Sequence, residues 1–119
     1  MTSSWTARYP DLTGKAVIVA GDSPWIVEVV RGLAANGALL AIVAEDRGIV
    51  DDAVRVAEAL DAAVMGMTAD PASAEVWDRI AQHIEQRLGP IDVAVAIGGT
   101  ALRGAVSAAV LPDMTARHR

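Results

Sequence analysis

A chain of 119 residues has room for one compact domain with a modest core, which excludes multi-domain and two-lobed architectures. Apolar residues make up 53% and charged residues 21%, the balance of a buried, globular chain, and the absence of cysteine excludes disulfides, thiolate metal sites and cysteine nucleophiles. Fifteen acidic against ten basic residues leave a formal charge of −5, so neither nucleic acid nor an anionic membrane is an expected partner.

Residues 1–12 are polar with two isolated aromatics, Trp5 and Tyr9, and read as an arm lying on the domain. They lack the apolar core of a signal peptide, and no run of about 18 apolar residues exists to span a bilayer. A soluble protein is expected, and with no cysteine its expected place is the reducing cytoplasm. Residues 16–20 (AVIVA) form a short continuous apolar run between Gly14 and Gly21, the pattern of a strand buried on both faces. Ser23 then offers a capping hydroxyl before Pro24, and Ile26, Val27, Val30, Leu33 and Ala34 recur at helical spacing until Asn36 and Gly37.

Residues 38–44 (ALLAIVA) repeat the doubly buried strand pattern, and residues 45–48 (EDRG) turn the chain. An amphipathic helix is predicted over 49–62, with Val50, Ala53, Val54, Ala57 and Leu60 on one face and Asp51, Asp52, Arg55 and Glu58 on the other. Residues 64–68 read as a third strand. Asp70 and Pro71 are expected to cap a helix that runs to about residue 88, with Val76, Trp77, Ile80, Ala81, Ile84 and Leu88 as its buried stripe. Gly89 and Pro90 stop it, and residues 91–97 (IDVAVAI) form the fourth strand, opening into Gly98 and Gly99. Beyond residue 100 the pattern weakens into a small apolar stretch.

Strands alternating with helices of about 12 to 18 residues imply parallel pairing through right-handed crossovers. The fold class predicted is therefore α/β: a truncated, Rossmann-like three-layer sandwich around a parallel sheet in the order 3-2-1-4. Its parts are the arm at 1–12, a half domain at 13–100 and a C-terminal remnant at 101–119 that either caps the sheet or forms an interface.

Several ordered motifs carry a resemblance: DLTGKAVIV leading into the turn AGDSPWIV, Asp70 after the third strand, LGPIDVAVAIGG, and LPDM opening at Leu111. Together, over residues 11–114, they resemble the short-chain dehydrogenase/reductase family, which has TGxxxGxG at this turn and LGxIDxLVNNAG at the fourth strand. The resemblance implies an NAD(P)-binding fold with cofactor positions at Gly21, Ser23, Trp25, Glu45, Asp70, Gly98 and Gly99. In such turns a first glycine makes the bend, a second admits the pyrophosphate and a third lets the helix approach the sheet.

The departures from that pattern are chemically pointed. Trp25 and Val27 replace the second and third glycines, and Pro24 stands where many members have a basic residue. Trp25 blocks the phosphate position unless its indole swings outward. Asp22 places a carboxylate where free helix amides would attract an anion, so it is expected to occupy those amides itself and repel a pyrophosphate. Drift in a loop without a ligand and a pocket remodelled for a smaller or neutral ligand both fit these changes. Glu45, 24 positions after Gly21, reads either as a ribose contact or as a solvated loop acid, and Asp70 either as an adenine contact or as a helix cap. Ala96 and Ile97 replace the paired asparagines of the family motif. No cofactor is the expectation, with NAD(P) as the alternative.

Catalysis in the family uses a tyrosine acid with a lysine four residues later, and a serine and an asparagine upstream, at positions beyond the segment spanned here. The single tyrosine, Tyr9, and the single lysine, Lys15, are six apart and both precede the first strand, so no catalytic residue is assigned. His83 and His118 read as surface residues, and no metal site is expected. The expected function is that of a catalytically incomplete assembly or interaction subunit, a homodimer or part of a larger complex formed through residues 91–111. The alternatives are an oxidoreductase component completed by a partner chain and a vestigial nucleotide-binding module.

Overall fold

The computed structural model describes residues 12–98, so residues 1–11, where an arm is expected, and residues 99–119, which include Gly99 and the expected C-terminal remnant, lie outside the described residues. Within it, β1 (Ala16–Gly21), α1 (Trp25–Ala35), β2 (Leu39–Ala44), α2 (Arg47–Ala59), β3 (Val64–Thr68), α3 (Ala74–Leu88) and β4 (Ile91–Ile97) alternate along the chain. The four strands form one parallel sheet in the order β3-β2-β1-β4, as predicted.

The continuous apolar runs are explained by cover on both faces. All of β1 is buried: Val17 and Val19 face the layer of α1 and α2, while Ile18 and Ala20 face α3. On the first face Ile26, Val30 and Leu33 of α1 join Val50, Ala53 and Ala57 of α2. On the second, Trp77, Ile80 and Ile84 of α3 close over Ala41, Val43 and Ile91. Each fully buried Val, Leu or Ile contributes roughly 1.5–3 kcal/mol to the folded state, so the two layers together hold the sheet.

Several boundaries differ from the sequence reading: β1 runs one residue further, to Gly21, and α1 begins at Trp25, with Pro24 at its N-cap position rather than its first residue. β2 begins at Leu39 because the Ala38 N–H still donates to Leu33 O at the end of α1. α2 begins at Arg47, since Asp46 Oδ1 accepts from Gly48 N–H at 2.8 Å and Ile49 N–H at 3.3 Å, a helix cap inside what the sequence presents as a turn. It ends at Ala59, and Asp61 at φ +62 turns the chain toward β3. α3 begins only at Ala74: Asp70 is not its cap but closes the turn before it, accepting from Ala72 N–H at 3.0 Å. That turn is fastened to the core by the buried Trp77 indole, whose N–H donates to Pro71 O at 2.8 Å. No described helix is long and apolar enough to cross a membrane.

β4 changes phase within its own length. Ile91 faces the α3 layer, yet Val93, Val95 and Ile97 pack against the α1 and α2 layer, and the β1 pairing shifts by one residue between Ala16 and Val17. Asp92 is the extra residue, and its Oδ2 accepts from Ala16 N–H at 3.0 Å, replacing a ladder bond with a charge-assisted one. Asp92→Ala is expected to lower stability by about 1–3 kcal/mol in urea denaturation, because the Ala16 amide loses its acceptor, while Asp92→Asn keeps an oxygen there and loses less.

Candidate functional site

Along this sheet the connections leave β1 in opposite directions, to β2 on one side and from β3 back to β4 on the other. The crevice between the carboxyl ends of β1 and β4 is therefore the topological switch point, where open α/β sheets hold ligands. Gly21 ends β1 there and pairs with Ile97, the residue before Gly98, and Ser23 follows in the loop that leaves β1. Glu45 follows β2 and Asp70 follows β3 at the same end of the sheet. Gly99 lies outside the described residues.

Gly21 is required by the sheet itself. A Cβ at this position would overlap the carbonyl oxygen of Ile97 and stand 3.2 Å from its carbonyl carbon and its Cβ. The same lack of a side chain that would admit a phosphate here admits the neighbouring strand.

The amides at the start of α1 are consumed internally. Ser23 Oγ accepts from Trp25 N–H at 3.2 Å, Ser23 O from Ile26 N–H at 3.1 Å and Pro24 O from Val27 N–H at 3.1 Å; Pro24 has no N–H to offer. The expectation that Asp22 would satisfy these amides is corrected: Ser23 does so, and Asp22 is exposed with no hydrogen bond to a described residue. Trp25 is also not a plug, for its side chain points outward and the residue is 68% exposed. Val27 is half-buried and packs on the α1 and α2 core, which explains a bulky residue in place of the third glycine.

Electrostatics at the crevice run against a polyanion. The loops after β1, β2 and β3 (residues 22–24, 45–46 and 69–73) present Asp22, Glu45, Asp46 and Asp70, all exposed, and contain no basic residue; Arg47 follows as the first residue of α2. A carboxylate 4 Å from a phosphate costs about 1 kcal/mol in water and about 4 kcal/mol at an effective dielectric of 20. Asp46 and Asp70 are committed to their turns, whereas Asp22 and Glu45 make no hydrogen bond or ion pair to a described residue. The cap at Asp46 was readable from an acid set just before an apolar-periodic segment, but the EDRG run hid it. Among the described residues, no group of three His, Asp or Glu side chains is placed to hold a metal ion.

Lys15 is exposed at the amino end of β1. Six residue steps at about 3.3 Å each put it roughly 20 Å from the crevice, so it cannot act there. Tyr9 lies outside the described residues.

No protein-family model and no curated protein sequence matches this chain. Solved structures do. A metagenomic short-chain oxidoreductase in complex with NADP superposes at a TM-score of 0.78 with 19% identity, covering 91% of this chain and 60% of that one. The L-sorbose reductase of Gluconobacter frateurii, complexed with NADPH and L-sorbose, gives 0.75 at 19% identity, over 89% and 49%. A short-chain dehydrogenase/reductase double variant from Serratia marcescens gives 0.75 at 22%, over 92% and 52%. This chain spans about half the length of the structures it matches, and it has the fold of the N-terminal half of short-chain dehydrogenase/reductases.

Two substitutions separate the roles in the turn. Gly21→Ala is expected to destabilise the fold by about 1–3 kcal/mol in denaturant titrations, since a backbone carbonyl cannot move aside as a flexible side chain can. Trp25→Ala, at an exposed position, is expected to change stability by no more than about 0.5 kcal/mol.

Proposed function

We propose that this chain is a short-chain dehydrogenase-like module that captures no dinucleotide tightly, carries out no hydride transfer by itself, and serves as an assembly subunit through the outer side of β4. The observation that carries this reading is the turn after β1: its first-turn amides are engaged by Ser23 and Pro24, and its neighbouring loops carry only carboxylates. A pyrophosphate would find the first-turn amides of α1 already engaged and an unfavourable field there. Lys15, the only lysine, stands at the wrong end of the sheet for the chemistry of the resembled family.

β4 supports the assembly part of the proposal. Among the described residues it pairs with β1 alone, and from Asp92 to Ile97 every residue is only half-buried although the sequence is that of an interior strand. An apolar strand with an open ladder is a ready partner for another chain. Two copies pairing β4 antiparallel across a two-fold axis would make one continuous sheet and use the edge of both, and a larger protein partner could use the same edge. The apolar stretch 101–111 belongs to this proposed interface.

A second reading is favoured by the matched structures that carry NADP and NADPH: an NAD(P)-binding component of a short-chain oxidoreductase, completed by further polypeptide. In it Gly21, Gly98 and Gly99 would line the cofactor, Glu45 would meet the adenosine ribose and Asp70 the adenine.

Calorimetry with NAD+, NADH, NADP+ and NADPH distinguishes the two. The expected result is a dissociation constant weaker than about 10 µM, roughly −7 kcal/mol, for all four; a tighter value for any of them establishes the second reading instead. For assembly, light scattering is expected to show a dimer or larger species that Val95→Lys reduces to monomer. A clean monomer at high micromolar concentration, with Val95→Lys folded and unchanged in mass, removes the self-assembly proposal.

A further inference from the structure

A groove of about 300 Å³ runs along the flank of the molecule, between the outer strand β3 and α3. It lies away from both the switch-point crevice and β4. Met67 of β3 and Ala69 just after it form one wall, Val76 and Ile80 of α3 the other, and Arg79 and His83 stand at the rim. The sequence dictates this arrangement. On α3 the core stripe is Trp77, Ile80 and Ile84, while Val76, Ile80 and His83, at the same helical spacing, form a second stripe turned toward β3. Ile80 is buried where the two stripes meet, but because β3 is the last described strand on its side, Met67, Ala69 and Val76 remain half-buried and His83 exposed.

We propose that this groove binds a short apolar carboxylate, a medium-chain fatty acid or a small aryl-alkyl acid. Three features set the ligand class. The walls are aliphatic and thioether, which take up hydrocarbon, and Met67 can adapt its shape to a guest. The volume lies at the lower end of the about 300–1,000 Å³ typical of ligand clefts, too small for a dinucleotide. The charge at the rim is positive in a chain of formal charge −5: no acidic side chain lines the groove, and neither Arg79 nor His83 has a hydrogen bond or ion pair to a described residue. A guanidinium with its donors uncommitted beside an apolar trough is complementary to a carboxylate on a hydrocarbon tail. Glu75 and Asp78 on the same helix are exposed, do not line the groove and make no ion pair with Arg79.

The test uses the full chain and three probes of one length: octanoate, octanol and octylammonium. In amide-resolved NMR titrations, octanoate is expected to shift Met67, Ala69, Val76 and Ile80 and to bind about tenfold tighter than octanol, the scale of one charge-assisted hydrogen bond, with octylammonium weakest. Arg79→Gln with His83→Gln, both at exposed positions, should bring octanoate down to the octanol value and leave octanol unchanged. No shift at these four residues up to about 10 mM octanoate overturns the proposal. So does equal binding of all three probes, or a double variant that keeps full octanoate affinity.

Discussion

The close approach of Gly21 to the carbonyl of Ile97 joins the two wings of this sheet. Among the described strands β1 alone touches both the β2–β3 wing and β4, and its carboxyl end can sit against β4 because it has no side chain at that point. Everything placed at the crevice inherits its position from that contact: where the chain leaves the sheet, where α1 begins, and which amides face the opening. A glycine in such a turn is usually discussed for what it lets a ligand do. Here the neighbouring strand already accounts for it.

The turn that follows is a self-satisfied one. Serine and proline take up the donors that an anion would seek, the indole of Trp25 is turned out to solvent, and Val27 belongs to the core. Val27 has a local structural use in the core, Trp25 has none that the contacts show, and the crevice is bordered by acidic side chains while the first-turn amides of α1 are engaged. Fold and ligand affinity are separable properties, since the sheet and its crossovers depend on apolar burial while phosphate capture depends on a few unpaired amides.

Much of the architecture was legible in the sequence. Residues such as Val17, Ile18, Ile42 and Val43 sit in runs without polar interruption, which only strands covered on both faces show, and the order of β and α segments then fixes the sheet. What was not legible depended on local hydrogen bonds. Asp46 and Asp70 look alike before their segments, yet one caps a helix and the other closes a turn that Trp77 pins through Pro71. The outward rotation of Trp25 is a choice of side-chain direction that spacing does not encode. Gly66 carries no turn signal either; its need is set by Val50 and Val54 of α2, whose methyl groups would lie 2.6 and 2.8 Å from an added Cβ.

The bulge at Asp92 gives β4 a property that a uniform alternating strand lacks. In a regular strand, slipping by two residues returns every side chain to its own face, so such errors are discouraged only by ragged ends. In β4 the inward and outward faces exchange at one marked residue, and that residue must also meet the Ala16 amide. A two-residue slip would leave one face reversed over part of the strand and strand the carboxylate away from its donor. β4 therefore carries its own alignment mark, and the strand that must find its place from farthest along the chain has a single register in which both its faces and its charge are satisfied.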